Sequence, residues 1–329
     1  MRAVPVPSDD APPTDVHDAR SVAVLLPCRN EEVTIGKVVH DFRRVMPQAT
    51  VYVYDNASTD RTAEVARTAG AIVRHAPLPG KGNVVRQMFA EVDAAAYVLA
   101  DGDDTYDAGT ASLMVSKLRD EDLAMVVGNR VEADDAHQPY RAGHRLGNQF
   151  LSGTVRWLFG AGSTDMLSGY RAFSRSYVES FPATSEGFEV ETEMTVHALR
   201  RGLACGEVPT EYRDRPHGSR SKLRTFPDGL RILRFVLVRW KEYHPIRFFG
   251  SVAAAAMALV LAAVLGVSEG GLVGWAPLAP RLAGLSLISG LVVGALCLVT
   301  GILRESLRRR RMTGLAELGQ SPTAGLVEL

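Results

Sequence analysis

The chain has 329 residues, with 37 Lys and Arg balanced by 37 Asp and Glu. That balance excludes the basic footprint of a nucleic-acid-binding protein, and the length allows one large or two ordinary domains. Cys28, Cys205 and Cys297 stand far apart without metal-ligand spacing, which excludes a disulfide framework and suits a cytoplasmic domain.

Residues 1–20 are rich in Pro, Asp and Ala and have no apolar core, so they read as a disordered tail and not as a signal peptide. From Ser21 onward, apolar β-branched runs alternate with amphipathic segments. Strands are expected at Val22–Leu26, Val51–Tyr54, Ala71–Arg74, Tyr97–Ala100 and Ala124–Val127, with helices at Thr34–Val45, Thr62–Thr68, Val84–Val92 and Ala111–Leu118. That order implies an α/β domain over 21–225, a largely parallel sheet covered on both faces. Ligands of such sheets bind beyond the carboxyl ends of the strands.

The polar residues collect at those ends. The first strand runs into Pro27-Cys28-Arg29-Asn30-Glu31-Glu32, the second into Asp55-Asn56, and the fourth into Asp101-Gly102-Asp103-Asp104. Closely spaced carboxylates offer hard oxygen ligands, which suit Mg²⁺ or Mn²⁺ and point to a metal-held diphosphate. Asn30, Thr34 and Ser58-Thr59-Asp60 also read as helix caps. Gly80-Lys81-Gly82-Asn83 opens a helix, where glycines and a helix N-terminus favour close approach of an anion. It lacks the spacing of a Walker loop.

Further along, Arg141 and Arg145 share a face if their segment is helical, and arginine suits a phosphate. Phe150, Leu151, Val155, Trp157, Leu158 and Phe159 are apolar enough to touch lipid. Glu189, Glu191 and Glu193 either open a helix or face a bound sugar. Residues 226–247 read as juxtamembrane helices, with Arg and Lys opposite Leu230, Leu233, Leu237 and Trp240. Phe248–Val267 and Leu282–Leu303 carry no charge, and each reaches the roughly 20 residues of a membrane span. They form a transmembrane hairpin over 248–303. Basic residues flank it on both outer sides, Arg231, Arg234, Arg239, Lys241 and Arg247 before it and Arg304 and Arg308–Arg311 after it. The α/β domain, both termini and the basic tail at 304–329 are therefore expected in the cytoplasm, at the inner membrane.

The ordered set Pro27–Glu32, Asp55-Asn56-x-Ser58-x-Asp60, Gly80-Lys81-Gly82, the Asp101/Asp103 pair, Gly128-Asn129-Arg130, Leu167–Arg171 and Arg215-x-x-Gly218-x-x-Ser221-Lys222 resembles the inverting family 2 glycosyltransferases with the GT-A fold. It is similar to the polyprenyl-phosphate and dolichyl-phosphate sugar synthases, over roughly 21–222. The resemblance implies a nucleoside site at Pro27, Arg29, Glu31 and Asp55, with Lys81 and Asp101 also on the nucleotide sugar. It implies metal ligation by Asp101 and Asp103, with Asp103, Arg215 and Lys222 catalytic. A lipid-phosphate site falls at Arg130 with Arg141, Arg145 and Asn148. Thr105 stands where relatives often carry a Gln metal ligand.

The implied activity is transfer of a hexose, from UDP-hexose first or GDP-mannose second, to a polyprenyl phosphate, with Mg²⁺ or Mn²⁺ as cofactor. The membrane is a partner, nucleic acid is not, and a homo-oligomer is compatible with the sequence. A processive polysaccharide synthase is one rival, but its Q-x-x-R-W pattern would need Gln where Val236 stands before Arg239-Trp240. A non-catalytic membrane adaptor that binds a nucleotide sugar is the other.

Overall fold

The computed structural model describes residues 21–132, 153–158, 165–216, 218, 222, 225–269, 292, 294–304 and 306. Of the expectations above, the N-terminal tail, Arg141, Arg145, Asn148, Phe150, Leu151, Phe159 and much of the second apolar segment lie outside these residues. The chain divides into two compact units, Met1–Leu233 and Arg234–Leu329.

The first unit follows the alternation read from sequence. In order it carries β1 (Val22–Cys28), α1 (Ile35–Val45), β2 (Thr50–Asp55), α2 (Thr62–Thr68), β3 (Ile72–His75), α3 (Lys81–Glu91) and β4 (Ala96–Leu99). Then come α4 (Thr110–Asp120), β5 (Met125–Glu132), β6 (Arg171–Ser174), α5 (Arg175–Ser180), α6 (Val190–Arg201) and β7 (Cys205–Tyr212). Helix α7 (Thr225–Tyr243) leads into the second unit.

The seven strands form one sheet in the order β3-β2-β1-β4-β6-β5-β7. Strands β1, β2, β3 and β4 pair in parallel, as do β5 and β7, while β6 runs antiparallel to both β4 and β5. The sheet is mixed for that reason: β6, carrying a charged Arg171, shows none of the apolar run that marked the other strands. Connections leave β1 in both directions, so a crevice opens at the carboxyl ends of β1 and β4, where ligands of open sheets bind.

Period-two alternation fills both faces. Val24, Leu26 and Cys28 of β1 pack with Ile35, Val39 and Phe42 of α1 and Ala111, Met114 and Leu118 of α4. Ala23 and Leu25 point the other way, toward Val84, Val85 and Met88 of α3 and Val190 and Met194 of α6. Each fully buried Val, Leu, Ile, Phe or Met among them contributes about 1.5–3 kcal/mol of transfer free energy.

In the second unit α8 spans Pro245–Glu269. Residues 294–304 are helical and lie against its start, where a Cβ on Gly301 would stand 3.2 Å from Ile246 Cα and Pro245 O. Among the described residues no helix is long and apolar enough to cross a membrane. Residues 270–291 of the expected hairpin fall outside them.

Candidate active site

Ala100 extends β4 by donating its N–H to Leu25 O at 3.2 Å, and the chain then turns through 101–104. Three carboxylates leave that turn, and only two stay at the rim. Asp104 takes a left-handed backbone (φ 60°) and is paired at 2.6 Å with Lys37 of α1, which also holds Asp41 at 2.9 Å.

Asp101 Oδ1 lies 2.5 Å from Lys81 Nζ, and Lys81 also reaches Glu191 Oε1 at 2.7 Å. Asp103 Oδ2 receives Arg215 Nη2 at 2.6 Å, while Thr105 donates its hydroxyl to Asp103 Oδ1 at 2.6 Å and its N–H at 3.3 Å. Thr105 therefore orients Asp103 through both bonds. Burial works to raise the Asp101 carboxyl, but the Lys81 ammonium outweighs it and holds the group below the usual carboxylate range. Asp103 goes the other way: burial raises it and the neighbouring Asp101 charge adds to the rise, against the pull of Arg215. Glu191 is likewise raised by burial, with Lys81 opposing.

The loops after β1 and β2 flank this pair and are tied to each other. Asn30 takes the N–H of Thr59 at 2.7 Å and gives its own N–H to Ser58 Oγ at 2.9 Å, and Glu32 N–H reaches Asp60 Oδ2 at 3.1 Å. Asn30, Ser58 and Asp60 are thus spent on loop architecture. Thr34 heads α1, yet its hydroxyl makes no cap bond and donates instead to Gly102 O at 2.7 Å, joining β1's loop to the aspartate turn.

Glu31 is buried, its N–H held by Thr62 Oγ1 at 2.8 Å, and its carboxylate meets Lys222, whose ammonium also reaches Asn30 O at 3.1 Å. Asp55 ends β2 nearly buried; its Oδ1 has no hydrogen-bond partner and its Oδ2 lies 3.9 Å from His75 Nδ1. Arg29 is exposed and Pro27 half-buried beside them. Asn56 binds Ala76 O, Leu78 O and Gly80 N–H, and so anchors the loop before α3.

The Gly-Lys-Gly segment serves a different purpose from the one its spacing suggests. A Cβ on Gly82 would run into Ser185 O, one on Gly80 into Glu186 O, and Asn83 N–H donates to Glu186 O at 3.3 Å. The glycines admit the 183–187 backbone instead of a ligand, and Lys81 alone points into the site. Arg86 and Glu193 hold that segment in place: Arg86 Nε donates to Ala183 O at 2.7 Å, and Glu193 accepts the Ser185 N–H at 2.8 Å and the Thr184 N–H at 3.0 Å. Of the three glutamates in question, Glu193 is structural and Glu191 belongs to the site. Glu189 receives Gly187 N–H at 3.2 Å.

At the far end of the rim Arg130 is gripped by Asp165 through two bonds, Nε to Oδ2 at 2.6 Å and Nη2 to Oδ1 at 2.7 Å, and lies over the Tyr212 ring at 5.3 Å. In the helical turn at 153–158, Val155 and Leu158 are buried and not the lipid contacts expected of them, because one face of that turn packs inward. Trp157 is 76% exposed. Arg171 is fully buried, donating to Met166 O at 2.6 Å, Ser168 O at 2.9 Å and Thr195 Oγ1 at 3.0 Å; it pins the turn that carries Asp165 and Gly169. A Cβ on Gly169 would stand 2.7 Å from Asp101 Oδ2, so this turn closes directly on the aspartate pair.

Comparison with known proteins places the chain in a family. Residues 23–181 match the description Glycosyl transferase family 2. Glycosyltransferase AglJ of Haloferax volcanii is 36% identical over 302 residues, covering 91% of this chain and 98% of the relative. The chain belongs to the family 2 glycosyltransferases. A dolichyl-phosphate hexose transferase of the same organism is 30% identical to this glycosyltransferase over 211 residues, 64% of the chain and 90% of the relative. Among solved structures, glucosyl-3-phosphoglycerate synthase from Mycobacterium tuberculosis, in complex with Mn²⁺, UDP-glucose and phosphoglyceric acid, superposes with a TM-score of 0.55. It is 24% identical, over 67% of this chain and 80% of that one, and shows the shared GT-A fold.

The residues of this glycosyltransferase fit a divalent cation by their chemistry. Asp101 and Asp103 supply hard oxygens, and Mg²⁺ and Mn²⁺ need only one or two carboxylates when substrate oxygens and water complete the shell. Among the described residues no group of three or more His, Cys, Asp or Glu could hold a metal ion, so protein ligation would rest on the aspartate pair. The Lys81–Glu191 link was not legible beforehand. The signal available was the acidic run at 189–193, which did not say which of its members faces inward.

Proposed function

We propose that this glycosyltransferase moves a hexose from a nucleotide sugar to a polyprenyl phosphate, at the cytoplasmic face of the cell membrane. The observation that carries the reading is the aspartate pair at the end of β4 with a cation on each member, Lys81 on Asp101 and Arg215 on Asp103. Carboxylates, a buried ammonium and a partly exposed guanidinium in one place suit a diphosphate bridged to a divalent ion.

In this reading Pro27, Arg29, Glu31 and Asp55 hold the nucleoside, and the unpartnered Oδ1 of Asp55 marks an acceptor for a base N–H. UDP-hexose is the first choice of donor and GDP-mannose the second. Asp101 and Asp103 would hold Mg²⁺ or Mn²⁺. When bound, the ion neutralises charge developing on the departing nucleoside diphosphate. Arg215 and Lys222 come from one segment and add positive charge to the same leaving group.

The acceptor is a phosphate monoester, with a second pKa of roughly 6, and is mostly dianionic at neutral pH. It needs no general base. Arg130, with Arg141, Arg145 and Asn148, binds and aims it. A phosphate oxygen forms a bond to the anomeric carbon as the bond from that carbon to the diphosphate oxygen breaks, and a single displacement inverts the configuration. Support for a lipid phosphate comes from the relative that is a dolichyl-phosphate hexose transferase. It comes also from the uncharged segments at 248–267 and 282–303, and from the exposed Leu296, Val299, Ile302 and Leu303 in the second unit.

The test is release of nucleoside diphosphate from UDP- and GDP-hexoses, with and without undecaprenyl phosphate and Mn²⁺. Turnover requiring both supports the assignment. An adaptor would release none, and a processive synthase would elongate a glycan without the lipid.

A further inference from the structure

The two cations on the aspartate pair are held very differently. Lys81 is 9% exposed and is clamped on two sides, by Asp101 and Glu191. Arg215 is 29% exposed and has one carboxylate, Asp103. Its second terminal nitrogen, Nη1, is buried without an acceptor. A guanidinium has five donors and is best satisfied by a bidentate partner, so Asp103 leaves Arg215 short of bonds that a diphosphate could supply.

Charge gives the second argument. Asp101, Asp103 and Glu191 face Lys81 and Arg215, one negative charge in excess. A diphosphate entering alone adds negative charge beside these carboxylates, where burial makes unpaired charge costly. A divalent cation entering with it offsets most of that charge, and the diphosphate gives Arg215 somewhere to go. The guanidinium occupies Oδ2 of Asp103, on the carboxylate that would hold the ion.

We infer that Arg215 is a displaceable counter-ion of Asp103, and that a divalent cation and a nucleoside diphosphate therefore bind this site as a coupled pair. The inference rests on the metal-held diphosphate proposed above. Coupling between two ligands is reciprocal, and factors of 5 to 150 are typical.

Calorimetric titration of the full chain with Mn²⁺, alone and in the presence of UDP or GDP, tests it. The native chain should bind Mn²⁺ at least about tenfold more tightly with nucleotide. Arg215→Met should bind Mn²⁺ alone about tenfold more tightly than the native chain does, a gain that misfolding cannot produce. Arg213→Gln removes the same charge two residues away, from a side chain paired with Glu211 and Asp107, and should stay within about twofold of native. An Arg215→Met chain that binds Mn²⁺ no better than native, or an Arg213→Gln chain that gains as much, overturns the coupling alone. Absence of Mn²⁺ binding in every chain, with or without nucleotide, overturns the metal site as well.

Discussion

Asp101 and Asp103 are the same side chain two positions apart, and their carboxyls are driven in opposite directions by what each one touches. Lys81 keeps Asp101 ionised, while Asp103 is buried beside that charge and oriented by Thr105. Asp103→Asn preserves the shape and one acceptor oxygen, so the fold should survive. Transfer to polyprenyl phosphate should fall at least about a hundredfold, read as initial rates at saturating Mn²⁺. Another residue reports on pH. Burial, helped by Arg201 and Arg200, lowers His197 to about 4, and its Nε2 lies 3.0 Å from Ser180 Oγ between Tyr177 and Phe181. The unfolded chain binds this proton near pH 6.5 and the native chain only near 4, so stability is full above 6.5 and falls as pH drops through that window. Denaturant unfolding of native and His197→Gln chains should show the native chain losing more stability between pH 7 and 4.5. At this scale the sequence disclosed which residues bear chemistry, because carboxylates at strand ends are visible locally. It did not disclose that Lys222 meets Glu31 or that Glu191 meets Lys81, since such pairs exist only once distant segments are folded together.

Elements were legible where one physical signal dominated. Strands β1, β2 and β4 announce themselves by apolar runs, and α1, α2 and α4 by their periodicity, with ends displaced by a residue or two. Glu189, Glu191 and Glu193 do open helix α6, one of the two readings the sequence allowed, whereas strand β6 carries a buried charge, Arg171, which hides a core element from any reading based on polarity. The start of α3 shows the same limit. Its glycines look like a ligand cradle and are instead the seat of the 183–187 backbone. Gly82→Ala should therefore destabilise the chain by about 1–3 kcal/mol, as overpacked sites do, in denaturant unfolding. It should also lower donor turnover by displacing Lys81. Unchanged stability would mean the segment has room that its packing does not suggest.

For the whole molecule, the account requires the rim of the sheet to face a lipid phosphate from the cytoplasm. Cys205 is exposed and Cys28 is buried, so Cys205 serves as a topological marker. A membrane-impermeant maleimide applied to intact cells should leave it unmodified and should label it once the membrane is opened; labelling from outside would reverse the proposed orientation. The central claim is the transfer itself. It is tested most directly by incubating the purified full chain with Mn²⁺, undecaprenyl phosphate and a panel of UDP- and GDP-hexoses, followed by mass spectrometry of the lipid. The account predicts one new species, undecaprenyl phosphate plus a single hexose, formed by the native chain and lacking with Asp103→Asn. A lipid that returns unmodified with every donor, or one formed equally well by Asp103→Asn, would contradict it.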